Sequence, residues 1–378
     1  MEKVRTLAGV GPSVLAGLGV DGAFDVLGLP AARKVCLLVV DGLGWELLRA
    51  HARDAPFLAS LAGEPIASGF PSTTATSLAS LGTGRLAGEH GVVGYTFAVE
   101  GELLNVLGWH RQGEGLDLRE RLVPEEVQPG RTVFEQAVAG GVPVRLVAPR
   151  EIAKSGLTRA VLRGGEVRGV YALGDLISQV LQALRESDRM LCYAYHADLD
   201  GIGHGYGPGS DAWCHQLGVV DHLAETIANG LPPDAMLVVT ADHGMVAAAE
   251  DDRIDFDTEP DLQYGVRVLG GEGRVRYLYA DAAAVDDVVD NWRGVLESRA
   301  QVLRRQEAID QGWFGPRIAD GVRARIGDVV VAARGSTVVV RSKAESRLSR
   351  FVGHHGSLTD AEQLVPLLVA ANGRGGGS

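Results

Sequence analysis

The stretch 35-VCLLVVDG-42 is a short apolar run that ends in an acidic residue and a glycine. Two later runs have the same form, 190-MLCYAYHADLDG-201 and 236-MLVVTADHG-244. Short runs of β-forming residues without polar alternation are typical of strands buried on both faces, as in a parallel sheet. We therefore predict that these runs are buried strands of a parallel sheet.

Helix-like segments lie between and around these strands. One further strand is predicted at 143-PVRLVAP-149, and helices are predicted at 43–50, 74–83, 132–141, 174–187 and 211–229. Alternating strands and helices predict an α/β fold with a doubly wound, mostly parallel sheet.

The pattern changes after residue 247. An acidic, turn-like stretch at 248–261 precedes a strand, helix and strand at 274–280, 283–300 and 328–341. We predict a catalytic domain formed by residues 1–249 and 346–378, with an inserted α+β subdomain at 250–345. The tail NGRGGGS is interpreted as flexible.

Composition limits the classes of function. The 378 residues are 46% hydrophobic, and a formal net charge of −12 opposes binding to a nucleic-acid polymer. A small phosphorylated substrate is compatible with this negative charge, because bound cations invert the local electrostatic field. The three cysteines follow no disulfide framework and no run is long enough to span a bilayer, so we expect a cytoplasmic protein without a membrane partner. The sequence does not indicate the oligomeric state.

Acidic and imidazole groups cluster at the ends of the three predicted central strands. They are Asp41, Asp198, Asp200, Asp242 and His243. The carboxyl ends of parallel strands share one edge of a sheet, so these groups should converge there. Because clustered carboxylates repel and His204 follows Asp200 by four residues, we predict bound metal. A mixed Asp and His set favours zinc, with manganese as the alternative.

Each of these residues also has a structural interpretation. Asp41 is in a position to cap a helix that begins near Leu43. Asp198 or Asp200 fits an Asx turn in a glycine-rich loop, and His243 alone fits a hydrogen-bonded structural histidine. The recurrence of acid followed by glycine on three strands favours a shared site.

The stretch 70-FPSTTATSLASLGTG-84 crowds hydroxyl side chains before a helical pattern. Pro71 disfavours a helix at Phe70, so the helix should begin near Thr74 or Ala75. A hydroxyl there is either an N-cap or a nucleophile, and helix N-termini also bind anions.

These segments together resemble the nucleotide pyrophosphatase/phosphodiesterase family of the alkaline phosphatase superfamily. The matching segments, in the family's order, are LLVVDGLG, FPSTTATSLASLGTG with EHGVVGY, DLDGIGHGYGP, TADHGM and GHHGS. The resemblance implies two close divalent metal ions, commonly zinc, and a covalent phosphothreonine intermediate.

The resemblance also implies particular residues. One metal would take Asp200, His204 and His355. The other would take Asp41, Asp242, His243 and the nucleophile Thr74, with the adjacent Thr73 as the competing nucleophile.

The chain departs from the family pattern at Ser77, where such enzymes usually carry an asparagine that donates to a phosphate oxygen. We predict that Ser77 and Tyr95 contact substrate. Phe97 and Trp109 are further candidates for stacking a nucleobase, with core packing as their alternative. The resemblance thus predicts a two-metal hydrolase of phosphodiester or pyrophosphate bonds in a nucleotide or similar small molecule. The alternatives are a phosphomonoesterase or phosphate-transferring mutase, and a metal-stabilised binding protein without activity.

Overall fold

The computed structural model describes residues 5–371, so the predicted flexible tail lies outside the described residues. Its strands, numbered in chain order, are β1 Lys34–Val40, β2 Ala62–Ala67, β3 Thr96–Val99, β4 Glu102–Asn105, β5 His110–Arg111, β6 Val144–Pro149, β7 Glu166–Val170, β8 Met190–His196, β9 Ala235–Thr240, β10 Val246–Ala247, β11 Arg253–Asp255, β12 Val266–Glu272, β13 Val275–Ala280, β14 Ala300–Arg304, β15 Val329–Ala333, β16 Val338–Val340, β17 Gly353–His354 and β18 Leu364–Ala371.

The helices separate and flank these strands. They are α1 Val10–Gly17, α2 Trp45–Ala50, α3 Pro56–Ser60, α4 Thr74–Thr83, α5 Ala87–His90, α6 Pro124–Val127, α7 Val133–Ala139, α8 Gly156–Val161, α9 Leu173–Ala183, α10 Asp198–Tyr206, α11 Asp211–Gly230, α12 Pro260–Gln263, α13 Val285–Leu296, α14 Arg305–Asp310 and α15 Asp360–Gln363. Short 3-10 segments occur at Leu7–Gly9, Glu250–Asp252, Glu297–Arg299, Arg323–Arg325 and Leu348–Arg350.

The central sheet has seven strands in the order β2-β18-β9-β1-β8-β6-β7. The neighbours from β9 to β7 pair in parallel, whereas β18 is antiparallel to both β9 and β2. The predicted α/β class with a mostly parallel sheet is confirmed. β1 and β9 are almost wholly buried, as expected for strands covered on both faces.

Residues between 253 and 340 form smaller sheets beside the central one. The largest is antiparallel, in the order β12-β13-β15-β14, and packs on a separate apolar cluster around Leu262, Val288 and Trp292. The predicted strand at 328–341 is divided into β15 and β16, and the sequence pattern missed β12 and β14. We retain the division into a catalytic domain and an inserted subdomain at 250–345 as a proposal.

A buried ion pair links the β12-β13 hairpin to the segment before β18. The Arg274 guanidinium donates to both Glu362 carboxylate oxygens at 3.0 and 2.7 Å, and both side chains are fully buried. This ion pair connects the hairpin tip, which includes Glu272, to the segment that leads into β18. Among the described residues, no helix is sufficiently long and apolar to span a membrane.

Candidate active site

Three neighbouring strands place the first group of functional side chains. β1 lies between β8 and β9, and all three run in parallel. Asp41 directly follows β1, while Asp242 and His243 follow β9 after one residue. His243 Nε2 lies 3.3 Å from Asp41 Oδ1 and 3.7 Å from Asp242 Oδ2. The strand ends therefore converge at one edge of the sheet.

Asp41 does not act as a helix cap. The N-cap of α2 is a glycine, and Asp41 instead accepts a hydrogen bond from the Tyr195 hydroxyl. Gly42, with φ of 75°, allows the chain to turn here. A Cβ at this position would lie only 3.0 Å from the Cα of Asp200. The Asp-Gly pair thus lets two carboxylate-bearing segments approach each other.

Asp200 and His204 lie one turn apart on α10, where His204 Nε2 is 3.2 Å from Asp200 Oδ2. The strand predicted from residue 190 is confirmed as far as His196, where β8 ends. A helix follows, so the continuation of the strand to 201 and the glycine-rich loop alternative are wrong. Residues four apart share one face of a helix. Asp198 is exposed. His196 Nε2 lies 3.2 Å from the Gln216 amide nitrogen. Neither environment involves the clustered carboxylates.

The predicted helix at 74–83 is confirmed and begins with Thr74. Thr74 Oγ1 lies 3.2 Å from His243 Nε2, beside the carboxylates. Thr73 is the N-cap residue and has different surroundings. Burial raises the pKa of Glu272 to about 8, against a smaller lowering by a hydrogen bond with Thr73. Thr74 therefore contacts His243, whereas Thr73 contacts Glu272.

Backbone carbonyls orient the three histidines. The Nδ1 atoms of His204, His243 and His355 lie 2.7, 3.0 and 3.1 Å from the carbonyl oxygens of Gly353, Gly244 and Ser72. A carbonyl oxygen only accepts, so each Nδ1 carries the proton and donates. Each Nε2 then presents a lone pair in the neutral ring, which is the arrangement of histidines that bind metals.

The carboxylates carry unsatisfied oxygen atoms. Asp41 Oδ1, Asp200 Oδ1 and Asp242 Oδ2 are buried without a hydrogen-bond partner within the described part of the chain. Burial, followed by the charges of Asp242 and Asp200, raises the pKa of Asp41 well above its usual range. Between residues 5 and 371, the ion-pair partners of these three carboxylates are all histidines. Three clustered acids without Lys or Arg repel one another unless one of them takes up a proton or a cation binds between them.

The donor atoms form two overlapping groups that share His243. Asp41, Asp242 and His243 form one group with ligand atoms within 4.8 Å of one another, and Asp200, His243 and His355 form another. The His243 and His355 rings stack at 3.5 Å between centroids. A metal-free catalytic triad does not fit, because a triad histidine uses both nitrogens, whereas Thr74, Asp41 and Asp242 all approach His243 Nε2.

A cavity of about 350 Å³ opens beside this cluster. Seven of its aliphatic lining residues are here called the apolar lobe: Leu78, Leu146, Ala148, Ile152, Leu157, Leu162 and Val167. Four of its polar lining residues are called the polar wall: Tyr95, Glu272, Arg276 and Glu345. Thr74, Asp200 and His355 also line the cavity. A molecule bound there therefore reaches both the Thr74 hydroxyl and the side chains of Asp200 and His355.

The proposed substrate contacts have different positions. Tyr95 lines the cavity, whereas Ser77 is fully buried outside its lining, with an Oγ that has no partner among residues 5–371. Phe97 and Trp109 are fully buried in the main core. The core interpretation is correct for these two aromatics, and they are not available for stacking.

Sequence reasoning missed Glu272 and Arg276 on the polar wall. Arg276 is 2% exposed and pairs with Glu345 at 2.9 Å, yet its Nη1 has no partner in the described structure. Glu272 Oε1 is likewise buried and unpartnered there. Both residues lie in a segment without a recognisable motif, where only the fold brings them to the cavity.

Comparison with known proteins identifies a family and one curated relative. Residues 35–358 match the model of the type I phosphodiesterase/nucleotide pyrophosphatase family. A phosphopentomutase from Anaeromyxobacter sp. strain K is 28% identical over 159 residues, which is 41% of this chain and 39% of that protein.

Solved structures share the fold. Murine ectonucleotide pyrophosphatase/phosphodiesterase 5, as an inactive variant in complex with AMP, superimposes with a TM-score of 0.69 at 17% identity, covering 89% of this chain and 87% of that one. Phosphonoacetate hydrolase from Sinorhizobium meliloti 1021, in complex with phosphonoacetate, gives 0.66 at 20% identity, covering 90% and 91%. At these identities the likeness concerns the fold alone.

Proposed function

Since the chain belongs to the type I phosphodiesterase/nucleotide pyrophosphatase family, we propose that it hydrolyses a phosphodiester or pyrophosphate bond of a small molecule, with Thr74 as the nucleophile. The observation that carries this proposal is the position of Thr74 Oγ1, which lies 3.2 Å from His243 Nε2 where the buried carboxylates converge.

Two divalent ions are proposed as cofactors, with zinc preferred and manganese as the alternative. Asp200, His204 and His355 would hold one ion. The second would be held by Asp41, Asp242, His243 and Thr74. Such ions, when bound, lower the pKa of a coordinated hydroxyl and share the negative charge of a transferring phosphoryl group.

Residues of the chain itself orient the substrate. Thr74 is the first residue of α4, where unpaired backbone N–H groups and the helix dipole favour a phosphoryl group. Thr74 Oγ forms a bond to phosphorus as the bond to the leaving oxygen breaks, and water then cleaves the phosphothreonine. Arg276 and Tyr95, on the polar wall, are proposed to contact the remaining oxygens of the substrate.

Hydrolysis of bis(p-nitrophenyl) phosphate with zinc or manganese tests the proposal. Thr74→Ala should reduce turnover by at least about a thousandfold while metal content stays unchanged. Thr73→Ala is the matched control, since it removes a neighbouring hydroxyl that faces Glu272. Full activity of Thr74→Ala would refute the nucleophile assignment. Tight metal binding without hydrolysis of any phosphoester would favour a metal-stabilised binding protein.

A phosphomonoesterase or phosphate-transferring mutase is the second candidate, and Arg276 is the observation that favours it. A guanidinium in the cavity wall with a free Nη1 suits the extra negative charge of a monoester. The partial similarity to a phosphopentomutase agrees with this candidate. A strong preference for p-nitrophenyl phosphate over the diester, lost in Arg276→Met, would select it.

A further inference from the structure

We propose that the apolar lobe binds a hydrocarbon substituent, an alkyl or acyl chain, of the phosphoester substrate. This inference rests on the proposed function and adds the chemical class of the substrate.

The lobe begins directly beside the nucleophile. Thr74 and Leu78 are four residues apart on α4 and both line the cavity, so one face of this helix joins the reacting hydroxyl to the lobe. Leu146 and Ala148 come from β6, the strand next to β8 in the central sheet. A substituent on the phosphorus that Thr74 attacks is therefore within reach of the lobe.

The chemistry of the lobe suits hydrocarbon. Its seven side chains are all aliphatic. Two neighbouring hydroxyl residues, Ser155 and Thr158, also line the cavity, but they hydrogen-bond to each other, and Thr158 also donates to the Ile152 carbonyl. A polar group placed here would lose its hydrogen bonds with water, whereas a methylene group would gain from burial.

A nucleobase is less well served by the cavity. Stacking requires an aromatic face, and Phe97 and Trp109 are buried in the core, where Trp109 donates to the Leu122 carbonyl. Phe351 lines the cavity, but its ring stacks on His204 at 4.5 Å. Tyr95, Tyr193 and Tyr195 also line the cavity, and the Tyr195 hydroxyl donates to Asp41. Aliphatic residues nevertheless outnumber these aromatic residues in the lining of the cavity.

Binding of methyl-, propyl- and pentylphosphonate to the metal-loaded protein tests the lobe without requiring turnover. Affinity, measured by calorimetry, should rise about fourfold per added methylene. Affinity that does not change with chain length would overturn the proposal. AMP binding more tightly than pentylphosphonate would also overturn it, since a base would then be preferred.

A pair of variants tests whether the dependence of affinity on chain length arises in the apolar lobe. Ile152 lines the cavity and is 37% exposed, whereas Val219 is 39% exposed on α11 and does not line it. Ile152→Ser should lower pentylphosphonate affinity several-fold and leave methylphosphonate affinity unchanged. Val219→Ser should change neither, and equal effects of the two substitutions would contradict the proposal.

Hydrolysis of p-nitrophenyl alkyl phosphates with the same three chains separates this inference from the proposed function. If binding rises with chain length but none of these diesters is cleaved, the lobe assignment stands and the hydrolytic function fails. If all three are cleaved with equal kcat/KM and the phosphonates bind equally, the function stands and the lobe assignment fails.

Discussion

Replacing Asp242 by Asn should shift stability in opposite directions in the metal-free and metal-loaded protein. Asp242 is fully buried, and its Oδ1 accepts hydrogen bonds from the backbone N–H groups of Gly42 and His243, both at 3.1 Å. An Asn oxygen keeps both bonds. The amide nitrogen would replace Oδ2, which faces His243 Nε2 at 3.7 Å. The substitution therefore removes charge with little change of shape.

The magnitude follows from the spacing of the carboxylates. The ligand atoms of Asp41 and Asp242 lie within 4.8 Å of each other, so their repulsion is about 3 kcal/mol at an effective dielectric constant of 20. We expect the metal-free wild type to relieve part of this repulsion by protonation, because burial and its acidic neighbours raise the pKa of Asp41. We expect Asp242→Asn to stabilise the metal-free protein by about 1–3 kcal/mol, or roughly 2–6 °C in Tm.

The metal-loaded state should respond in the opposite way. A ligand present at a hundred times its Kd stabilises a protein by about 2.7 kcal/mol, and the variant should lose most of this gain with its anionic donor. Thermal unfolding in chelator and in excess manganese or zinc measures both effects. Asp198→Asn, an equal change of charge at an exposed residue of α10, should alter neither Tm. A metal-free variant less stable than wild type, with an unchanged metal-induced shift, would refute the reasoning.

Three further predictions concern other parts of the molecule. Burial lowers the pKa of His90 to about 3, so the unfolded chain binds more protons between pH 3 and 6.5 and stability falls with acidification. Moving from pH 7 to pH 5 should cost wild type about 2 kcal/mol more than His90→Asn, and equal losses in chemical denaturation would contradict this. Arg274→Met leaves the Glu362 charge buried and unpaired, so it should destabilise by about 3–5 kcal/mol, and the double variant with Glu362→Gln should recover part of the loss. A loss below about 1 kcal/mol for the single variant would show that the pair does not hold the hairpin. Thr74→Ser keeps the hydroxyl and should retain measurable turnover, whereas activity as low as that of Thr74→Ala would argue against a simple nucleophile.

The central strands and α4 were predictable because their signals are local. The run at 35–42, for example, contains both the apolar residues of a buried strand and the acidic residue that follows it. The helix carrying Asp200 and His204 was missed because glycines interrupt it and disfavour helix. At Gly203 the reason is tertiary, since a Cβ there would lie 2.5 Å from Met245 Sδ.

Apart from Tyr95, the residues of the polar wall were not predictable, because their partners are distant in the chain. Arg276 is held by the Val339 carbonyl and by Glu345, which are 63 and 69 residues away. No short pattern encodes such a contact. The proposed metal ligands, by contrast, lie at strand ends and in short segments that the family resemblance identifies. Their roles as ligands are predictions that a measurement of bound metal tests.

Anomalous diffraction from crystals of the protein soaked with zinc or manganese tests the central claim most directly. We predict two anomalous peaks, one among Asp41, Asp242 and His243 beside Thr74 Oγ1, and the other among Asp200, His204 and His355. Crystals that bind metal only at exposed side chains, or that show no peak within coordination distance of Thr74, would contradict the account.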